Sequence, residues 1–393
     1  MLGSPRCSKH LAGIALRAAV TAIGVSIAAS ASLAQNASTL PARLTDKELW
    51  ELNANFSENG GYFRSDNFLS NETGFQWVIP GLQRTIKPGS VYLGVGPEQN
   101  FTYIVALQPK MAIIFDIRRG NMVEHLMYKA LFEISNDRAD FLSRLFSRPR
   151  PAGLDTTSSA QKLFDAYMTV SPDTALYRRN MAAIREKLTK DHGFVFGDSD
   201  SKSLDYIYSA FYGGGPQINY NYPAGGGGFG RGGMPNYATL QAATDSAGKN
   251  WSYLATEANF RWLKDFETKN LLVPVVGNFA GPKAIRSVGQ YLKEHHAIVG
   301  AFYTSNVEQY LWQQNDDAPN YYRNVATLPL DSTSTFIRSI GGGRGFGPPP
   351  SVSAQRVALG GRLPSVTSPI LELISAFNAG RLLSYQDVLA MSR

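Results

Sequence analysis

Cysteine is almost absent from this sequence of 393 residues. The single cysteine, Cys7, lies in an N-terminal segment that we expect to be removed by processing. The rest of the chain has no thiol, which excludes cysteine catalysis, thiolate metal ligands and disulfide bonds. A chain of this length must therefore be held together by an ordinary apolar core.

The sequence also lacks dense runs of Lys or Arg. The formal net charge is +7 at pH 7, and removing Arg6, Lys9 and Arg17 with the N-terminal segment lowers it to +4. Such a mild charge does not predict a nucleic-acid partner. Beyond the N-terminal segment no stretch of 18 consecutive apolar residues occurs, so no transmembrane helix is predicted there.

Several catalytic motifs are missing as well. There is no G-x-S-x-G, no H-E-x-x-H and no histidine pair at metal-binding spacing, so we predict no metal site and assign no catalytic residue. His125 is either a base or ligand-binding group at the site discussed below, or a packed or surface helix residue. His192 either caps a helix end or is catalytic, and His295 and His296 are interpreted as structural residues at a helix end.

The N-terminus has the pattern of a secretory signal peptide. Three basic residues precede an apolar run rich in Ala and Ser, residues 18–34, which ends in the small-x-small sequence Ser32-Leu33-Ala34. We therefore expect residues 1–34 to be cleaved and the mature protein to be exported, either to the periplasm or into the medium. A membrane anchor is the alternative, although the run is short for one.

The most informative stretch is the glycine turn, residues 94–99, which lies between two apolar segments. Gly94 and Gly96 have no Cβ, so the backbone can turn sharply and approach a ligand. Asp116 follows about 20 residues later, where nucleotide-binding βαβ units place a carboxylate for the ribose hydroxyls. Gln99 replaces the third glycine of G-x-G-x-x-G. The stretch predicts a Rossmann-like unit. In the alternative, the turn binds nothing, and Asp116 caps the next helix or pairs with one of the two arginines that follow it.

Strands and helices alternate over much of the chain. Strands are predicted at about 90–95, 111–116, 271–277 and 297–303, with a final strand at 335–340. This alternation predicts an α/β, Rossmann-like, mostly parallel sheet with helices on both faces. Ligands bind beyond the carboxyl ends of the strands in such sheets. The candidate binding residues at that edge are Gly94, Gly96, Glu98, Gln99, Asp116, Arg118, Asn278 and Asn306.

The expected domain organisation is simple. After the signal peptide, residues 35–44 are expected to be a flexible leader, and residues 45–393 a single Rossmann-like domain. A helical insertion is predicted at about 150–250. Two glycine-rich stretches, about 223–234 and 341–362, have too little apolar content to order themselves and are predicted to be disordered loops.

A polar and aromatic loop precedes the first strand, at residues 56–72. Its rings flanked by polar groups are typical of a half-buried lid over a ligand. We predict that it folds over the glycine turn, or else that it is a surface loop anchored by its aromatics. An acid–base pair among Glu58, Asp66 and Glu72 is a further hypothesis. The candidate lid residues are Tyr62, Asp66, Asn67, Asn71 and Glu72.

Four segments carry a resemblance to a known family: residues 60–68, 92–101, 116–131 and 273–282. They resemble an uncharacterised exported bacterial family whose members are similar in fold to class I S-adenosylmethionine-dependent methyltransferases. The resemblance runs from about residue 45 to the C-terminus, apart from the glycine-rich loops. It implies that Gly94 and Gly96 approach the methionine part of the cofactor and that Asp116 binds its ribose. The acidic-Pro-Pro-aromatic motif of some methyltransferases is replaced by Asn278-Phe279.

Three functions remain open at this point. The first is a protein of methyltransferase-like fold that binds a nucleotide-like or other small ligand at the Gly94, Gly96 and Asp116 edge. The second is a non-catalytic envelope or surface interaction protein, and the third an active methyltransferase. S-adenosylmethionine is made in the cytosol, so export argues against the third. The resemblance alone suggests that cofactor, and the sequence names no protein partner.

Overall fold

The computed structural model describes residues 38–220, 222, 234–314, 317–340 and 365–393. The predicted signal peptide and most of the two glycine-rich stretches lie outside these ranges. The expectation of a flexible leader is wrong for the leader residues described. Leu40 and Leu44 are buried, and the amide of Leu44 donates to the carbonyl of Lys269 (3.0 Å). The chain is attached to the domain there because these two apolar side chains join its core.

A six-stranded sheet lies at the centre of the fold, with strand order β3-β2-β1-β4-β5-β6. Strands β1 to β5 are parallel, and β6 is antiparallel to β5. The predicted Rossmann-like α/β fold is confirmed, and the four strands predicted as parallel neighbours are neighbours. The strands are β1 (Val91–Val95), β2 (Ala112–Asp116), β3 (Leu272–Val276), β4 (Val299–Ser305), β5 (Thr335–Ser339) and β6 (Ser365–Pro369).

The strands form where the sequence has short, nearly continuous apolar runs. Every residue of β2, β3 and β5 is buried, as expected for parallel strands with both faces covered. Pro274 cannot donate a ladder hydrogen bond, and it lies in β3 at the edge of the sheet, where none is needed. Strand β4 begins two residues later than predicted, because His296 adopts φ +50° and Ala297 closes the preceding helix.

The sequence analysis did not predict β6 or the helices that follow it. The sequence Ser365-Val-Thr-Ser-Pro369 is polar and follows a stretch without periodicity, so no strand signal was present. Its place is set by β5, with which it pairs from Thr335–Pro369 to Ser339–Ser365.

Helices cover both faces of the sheet, and local signals set several of their ends. Helix α1 begins with a capping box between Thr45 and Glu48. Asp137 caps a new helix, so residues 119–146 form two helices rather than one. The helices of the sheet layers are α1 (Asp46–Phe56), α2 (Ile79–Thr85), α3 (Gln99–Leu107), α4 (Arg119–Ile134), α5 (Arg138–Phe146), α10 (Glu257–Thr268), α11 (Ala284–Glu294), α12 (Val307–Leu311), α13 (Asp317–Val325), α14 (Ile370–Asn378) and α15 (Tyr385–Ala390).

The region from 150 to 250 contains helices and no sheet strand among its described residues. It packs on α4 and α5 through aromatic side chains, for example Phe211 against Tyr128. Its helices are α6 (Ala160–Met168), α7 (Thr174–Glu186), α8 (Asp198–Gly214) and α9 (Tyr237–Ala242). Of the helices in the described ranges, none is both long and apolar enough to cross a membrane.

Candidate functional site

The sheet reverses its strand order between β1 and β4, and this is where doubly wound sheets bind ligands. The carboxyl end of β1 leads into the glycine turn, and that of β4 into Thr304-Ser305-Asn306. Asp116 ends β2 beside Val276 of β3, so the candidate residues on all four strands share one edge as predicted. We call the carboxyl ends of strands β1 to β4 the switch edge.

The glycine turn is held from inside by one side chain. The amide of Asn100 donates to the carbonyls of Val95 (3.0 Å), Gly96 (3.1 Å) and Pro97 (2.7 Å). A Cβ on Gly94 would lie 2.0 Å from the Asn100 Oδ1 atom. The sequence analysis assigned the missing Cβ of Gly94 to ligand approach, but it makes room for Asn100. Gly96 differs, because it has φ +75° and more open space beside it.

Asp116 is engaged by Arg118, one of the alternatives that the sequence left open. The backbone amide and the Nε atom of Arg118 donate to Asp116 Oδ1 (2.8 and 2.9 Å), and its Nη2 atom donates to Oδ2 (2.6 Å). Both groups are almost fully buried. Arg119 instead pairs with Asp200. The carboxylate expected to bind a ribose is therefore occupied by the chain's own guanidinium.

The segment between α1 and the 3₁₀ turn Phe75–Val78, residues 57–74, covers the switch edge, and we call it the covering loop. Arg118 donates its Nη1 atom to the carbonyls of Ser65 (3.4 Å) and Asp66 in this loop. Asn67 Nδ2 lies 3.9 Å from where a Cβ on Gly96 would be. The loop thus lies against the glycine turn, the position expected of a lid.

Glu72, near the end of the covering loop, lies between the glycine turn and β4. Its carboxyl group accepts from Gln99 Nε2 (2.9 Å), the Tyr303 hydroxyl (2.9 Å) and the Ser305 hydroxyl. Burial raises the pKa of Glu72, and these hydrogen bonds oppose the shift. The carboxyl group of Glu72 therefore links the glycine turn to β4 at the switch edge.

The remaining loop residues behave differently from one another. Tyr62 is 85% exposed, so the expectation that it is half-buried is wrong. Asp66 accepts from the Tyr206 hydroxyl (2.8 Å), and Asn71 is half-buried. Glu58 accepts from the amide of Ala284 (3.0 Å) at the start of α11. Because Glu58, Asp66 and Glu72 each have separate partners, the hypothesis of an acid–base pair among them finds no support.

The other predicted edge residues stabilise turns. Asn278 Oδ1 accepts from the amide of Ala280 (3.0 Å), a local turn after β3. Asn306 is the first residue after β4 and precedes α12. Phe101 and Phe279, which could have blocked the edge, point into the core, where Phe101 contacts His125 and Phe279 contacts Phe302.

A group of buried polar side chains lies near Gly96, in the glycine turn and on α4. Glu98, Asn121, Glu124 and His125 are each at most 2% exposed. His125 donates its Nε2–H to the carbonyl of Gly96 (2.8 Å), which leaves Nδ1 as an acceptor. Four of their atoms make no hydrogen bond within the described part of the chain: Glu98 Oε2, Asn121 Oδ1, Glu124 Oε1 and His125 Nδ1. We call these four residues the buried acceptor group.

Burial sets the protonation of this group. It raises the pKa of Glu98 to about 8 and the pKa of Glu124 well above 4.5, with the Glu98 charge adding to the second shift. It lowers the pKa of His125 to about 4, so this imidazole is neutral at pH 7. The sequence analysis missed Asn121 and Glu124. Their spacing could have revealed them, because Asn121, Glu124 and His125 are three and four positions apart. This spacing puts three polar residues on one face of α4, among mostly apolar neighbours.

In the described part of the chain, no three His, Cys, Asp or Glu residues are placed to hold a metal ion. The arrangement can instead bind groups that donate hydrogen bonds.

The chain belongs to the family described as a domain of unknown function, DUF7790, whose model matches residues 67–206 and 228–358. The match includes the glycine turn, Asp116 and both edge asparagines, Asn278 and Asn306. No curated protein matches the chain. The family adds no activity to the geometry, so the function must be argued from the side chains.

Proposed function

We propose that the chain binds a small polar ligand at the switch edge, beneath the covering loop, and that the ligand donates hydrogen bonds. The buried acceptor group is the observation that supports this most. An unpaired buried polar atom costs about 1–3 kcal/mol, so four together favour a ligand whose own groups form hydrogen bonds with them. A primary amine is the group that meets most of them, because an ammonium has three N–H donors and a charge that favours ionised Glu98 and Glu124.

The covering loop has to move for such a ligand to enter. The buried acceptor group and Asp116 are all at most 5% exposed. The loop is fastened at this edge by polar contacts from Arg118 and Glu72. Phe68 and Leu69, in the second half of the loop, are buried in the core, so the part that moves is the more exposed segment before them.

S-adenosylmethionine does not fit the residues as they are arranged. Its ribose hydroxyls would need Asp116, which already accepts three hydrogen bonds from Arg118. The space above Gly94 is taken by Asn100. The fold resemblance suggested methyl transfer, but these contacts make S-adenosylmethionine a poorer candidate ligand than an amine.

We also propose that the protein acts outside the cytosol. This rests on the basic residues and the apolar run at positions 6–34. N-terminal sequencing of the protein from cells should find a start near Gln35, and an intact Met1 in the mature protein would count against export.

A non-catalytic interaction protein is the second candidate. It is favoured by the mutual pairing of Asp116 and Arg118, which uses most of the acceptor capacity of this carboxylate. The exposed ring of Tyr62 on the covering loop is then a contact for a partner protein.

A thermal-shift screen of the protein starting at Gln35 tests the proposal, because a bound ligand raises the melting temperature. The probes are ethanolamine, spermidine, amino acids, adenosine, S-adenosylmethionine and S-adenosylhomocysteine. We expect an amine to bind, and Glu124→Gln to weaken it about tenfold, as expected for losing one charged hydrogen bond.

Glu267→Gln is the matched control, because Glu267 is also a buried acid with an unpaired oxygen but lies on α10 near Lys129. It should leave affinity unchanged. If no probe binds, the ligand proposal is wrong, and the second candidate function, a non-catalytic interaction protein, is favoured.

A further inference from the structure

A cavity lies apart from the buried acceptor group, between the 3₁₀ turn Phe75–Val78, α6 and α9. Its volume is about 490 Å³, within the usual range for a small-molecule site. Its walls come from both the segment that leads into β1 and the helical region 150–250. The cavity thus lies where the helical region packs on the Rossmann-like layer.

One side of this cavity is apolar. Trp77, Phe164 and Met168 line it, together with three alanines in or just after α9: Ala238, Ala242 and Ala243. Trp77 and Met168 are half-buried and Phe164 is fully buried. An indole in a pocket wall gives a wide, rigid surface against which the apolar face of a ring can pack.

The other side carries polar groups with unused capacity. Asp165 is an exposed carboxylate that accepts one hydrogen bond, from Gln161 Nε2 (2.7 Å). Asn236 uses its Oδ1 atom to cap α9, and its amide NH₂ makes no hydrogen bond in the described ranges. The Thr73 hydroxyl is buried and also without a described partner. The cavity therefore offers an acceptor on Asp165, a donor on Asn236 and a hydroxyl group on Thr73.

Charge narrows the class of ligand. Among the described residues that line the cavity there is no Lys or Arg, so these residues offer no positive charge to an anion. Asp245 lines it too, but its oxygens already accept from Trp251 Nε1 (2.7 Å) and from the amides of Ala247 and Lys249 (both 2.9 Å). A neutral ligand with several hydroxyl groups and one apolar face suits these walls.

We propose that this cavity binds a neutral sugar ring. The apolar face of the ring packs on Trp77, and its hydroxyls donate to Asp165 and accept from Asn236. The site shares no residue with the buried acceptor group, so this proposal can be tested independently of the ligand proposed at the switch edge.

Tryptophan fluorescence and calorimetry test the proposal on the protein starting at Gln35. The probes are glucose, galactose, N-acetylglucosamine and maltose at millimolar concentrations. At least one should bind, and Trp77→Ala and Asp165→Asn should each weaken it about tenfold or more, because each removes one recognition element.

Asp205→Asn is the control, since Asp205 is another exposed acid, on α8, that does not line the cavity. Asp165 is exposed, so its substitution should leave the fold intact even if Trp77→Ala does not. The proposal is overturned if no sugar binds, or if binding survives Asp165→Asn unchanged. Binding of spermidine at this cavity in preference to sugars would also overturn it.

Discussion

Two glycines in the same turn serve different purposes at the residue scale. Gly94 lies beside Asn100, whose side chain is fixed by the Tyr92 hydroxyl (2.9 Å) and by three backbone carbonyls. Gly96 has φ +75°, a conformation that residues with a Cβ rarely adopt. The cost of adding a methyl group therefore has a different physical origin at each position.

We expect Gly94→Ala to lower the free energy of unfolding by about 3 kcal/mol, the upper end for overpacking, because Asn100 cannot yield. Gly96→Ala should cost about 1–2 kcal/mol, the strain of a left-handed residue. Urea unfolding of both variants measures the difference. Equal costs would mean that Asn100 can move aside and that the turn is looser than its hydrogen bonds suggest.

At the scale of elements, His192 joins two helices that are far apart in sequence. Its Nδ1 atom lies 2.7 Å from Asp46 Oδ1 in α1, and its Nε2 atom lies 2.8 Å from Glu133 Oε2 in α4. Both partners are carboxylates, so both ring nitrogens donate only when the imidazole is charged. Burial is the largest single influence and opposes that charge, but Glu133 and Asp46 together outweigh it, and the pKa of His192 is raised above 6.5.

A raised pKa in the folded state stabilises the protein fully below pH 6.5, and this contribution is lost as the pH rises through the raised value. We expect His192→Gln to remove about 1 kcal/mol of stability at pH 6, the value of one such hydrogen bond, and little at pH 9. Urea midpoints at both pH values measure this.

The control is His295→Gln, because the His295 ring lies on the carbonyl of Tyr291 and has no carboxylate partner among the described residues. A loss of the same size at both pH values for His192→Gln would show that packing against Phe194, rather than charge, is what this residue provides.

At the scale of the whole molecule, the interior holds carboxyl groups that are neutral at moderate pH. Burial raises the pKa of Glu98 to about 8 and does the same for Glu267. The folded state therefore binds more protons than the unfolded state between about pH 4.5 and 8. Stability should fall with rising pH across that window and level off above it.

We expect the free energy of unfolding to be several kcal/mol lower at pH 8 than at pH 5, since each pKa unit corresponds to about 1.4 kcal/mol. Denaturant titrations at these two pH values test this. The double variant Glu98→Gln and Glu267→Gln should flatten the dependence. If its slope matches that of the original protein, these two acids are ionised in the fold, and the argument for their neutral state fails.

The sequence by itself determined the fold class and the elements of the sheet centre. Short apolar runs fixed β1 to β5, and local signals at Thr45, Asp137 and Thr256 fixed helix starts, because hydrophobic periodicity and capping act over a few residues. It also placed Asp116 and Asn278 on one edge, since parallel strands point the same way. The polar strand β6 carried no such signal and needed β5 as its partner.

Only the tertiary structure decided what the edge residues do. Asn100 filling the space at Gly94, Arg118 holding Asp116, and Glu72 bridging to Ser305 are contacts between residues up to 233 positions apart. Side-chain pairing of this kind depends on the packed geometry, and local sequence patterns carry no information about it. The tertiary structure also decided the state of the buried acceptor group. The free-energy cost of its unpaired polar atoms arises only when folding removes Glu98 and Glu124 from water.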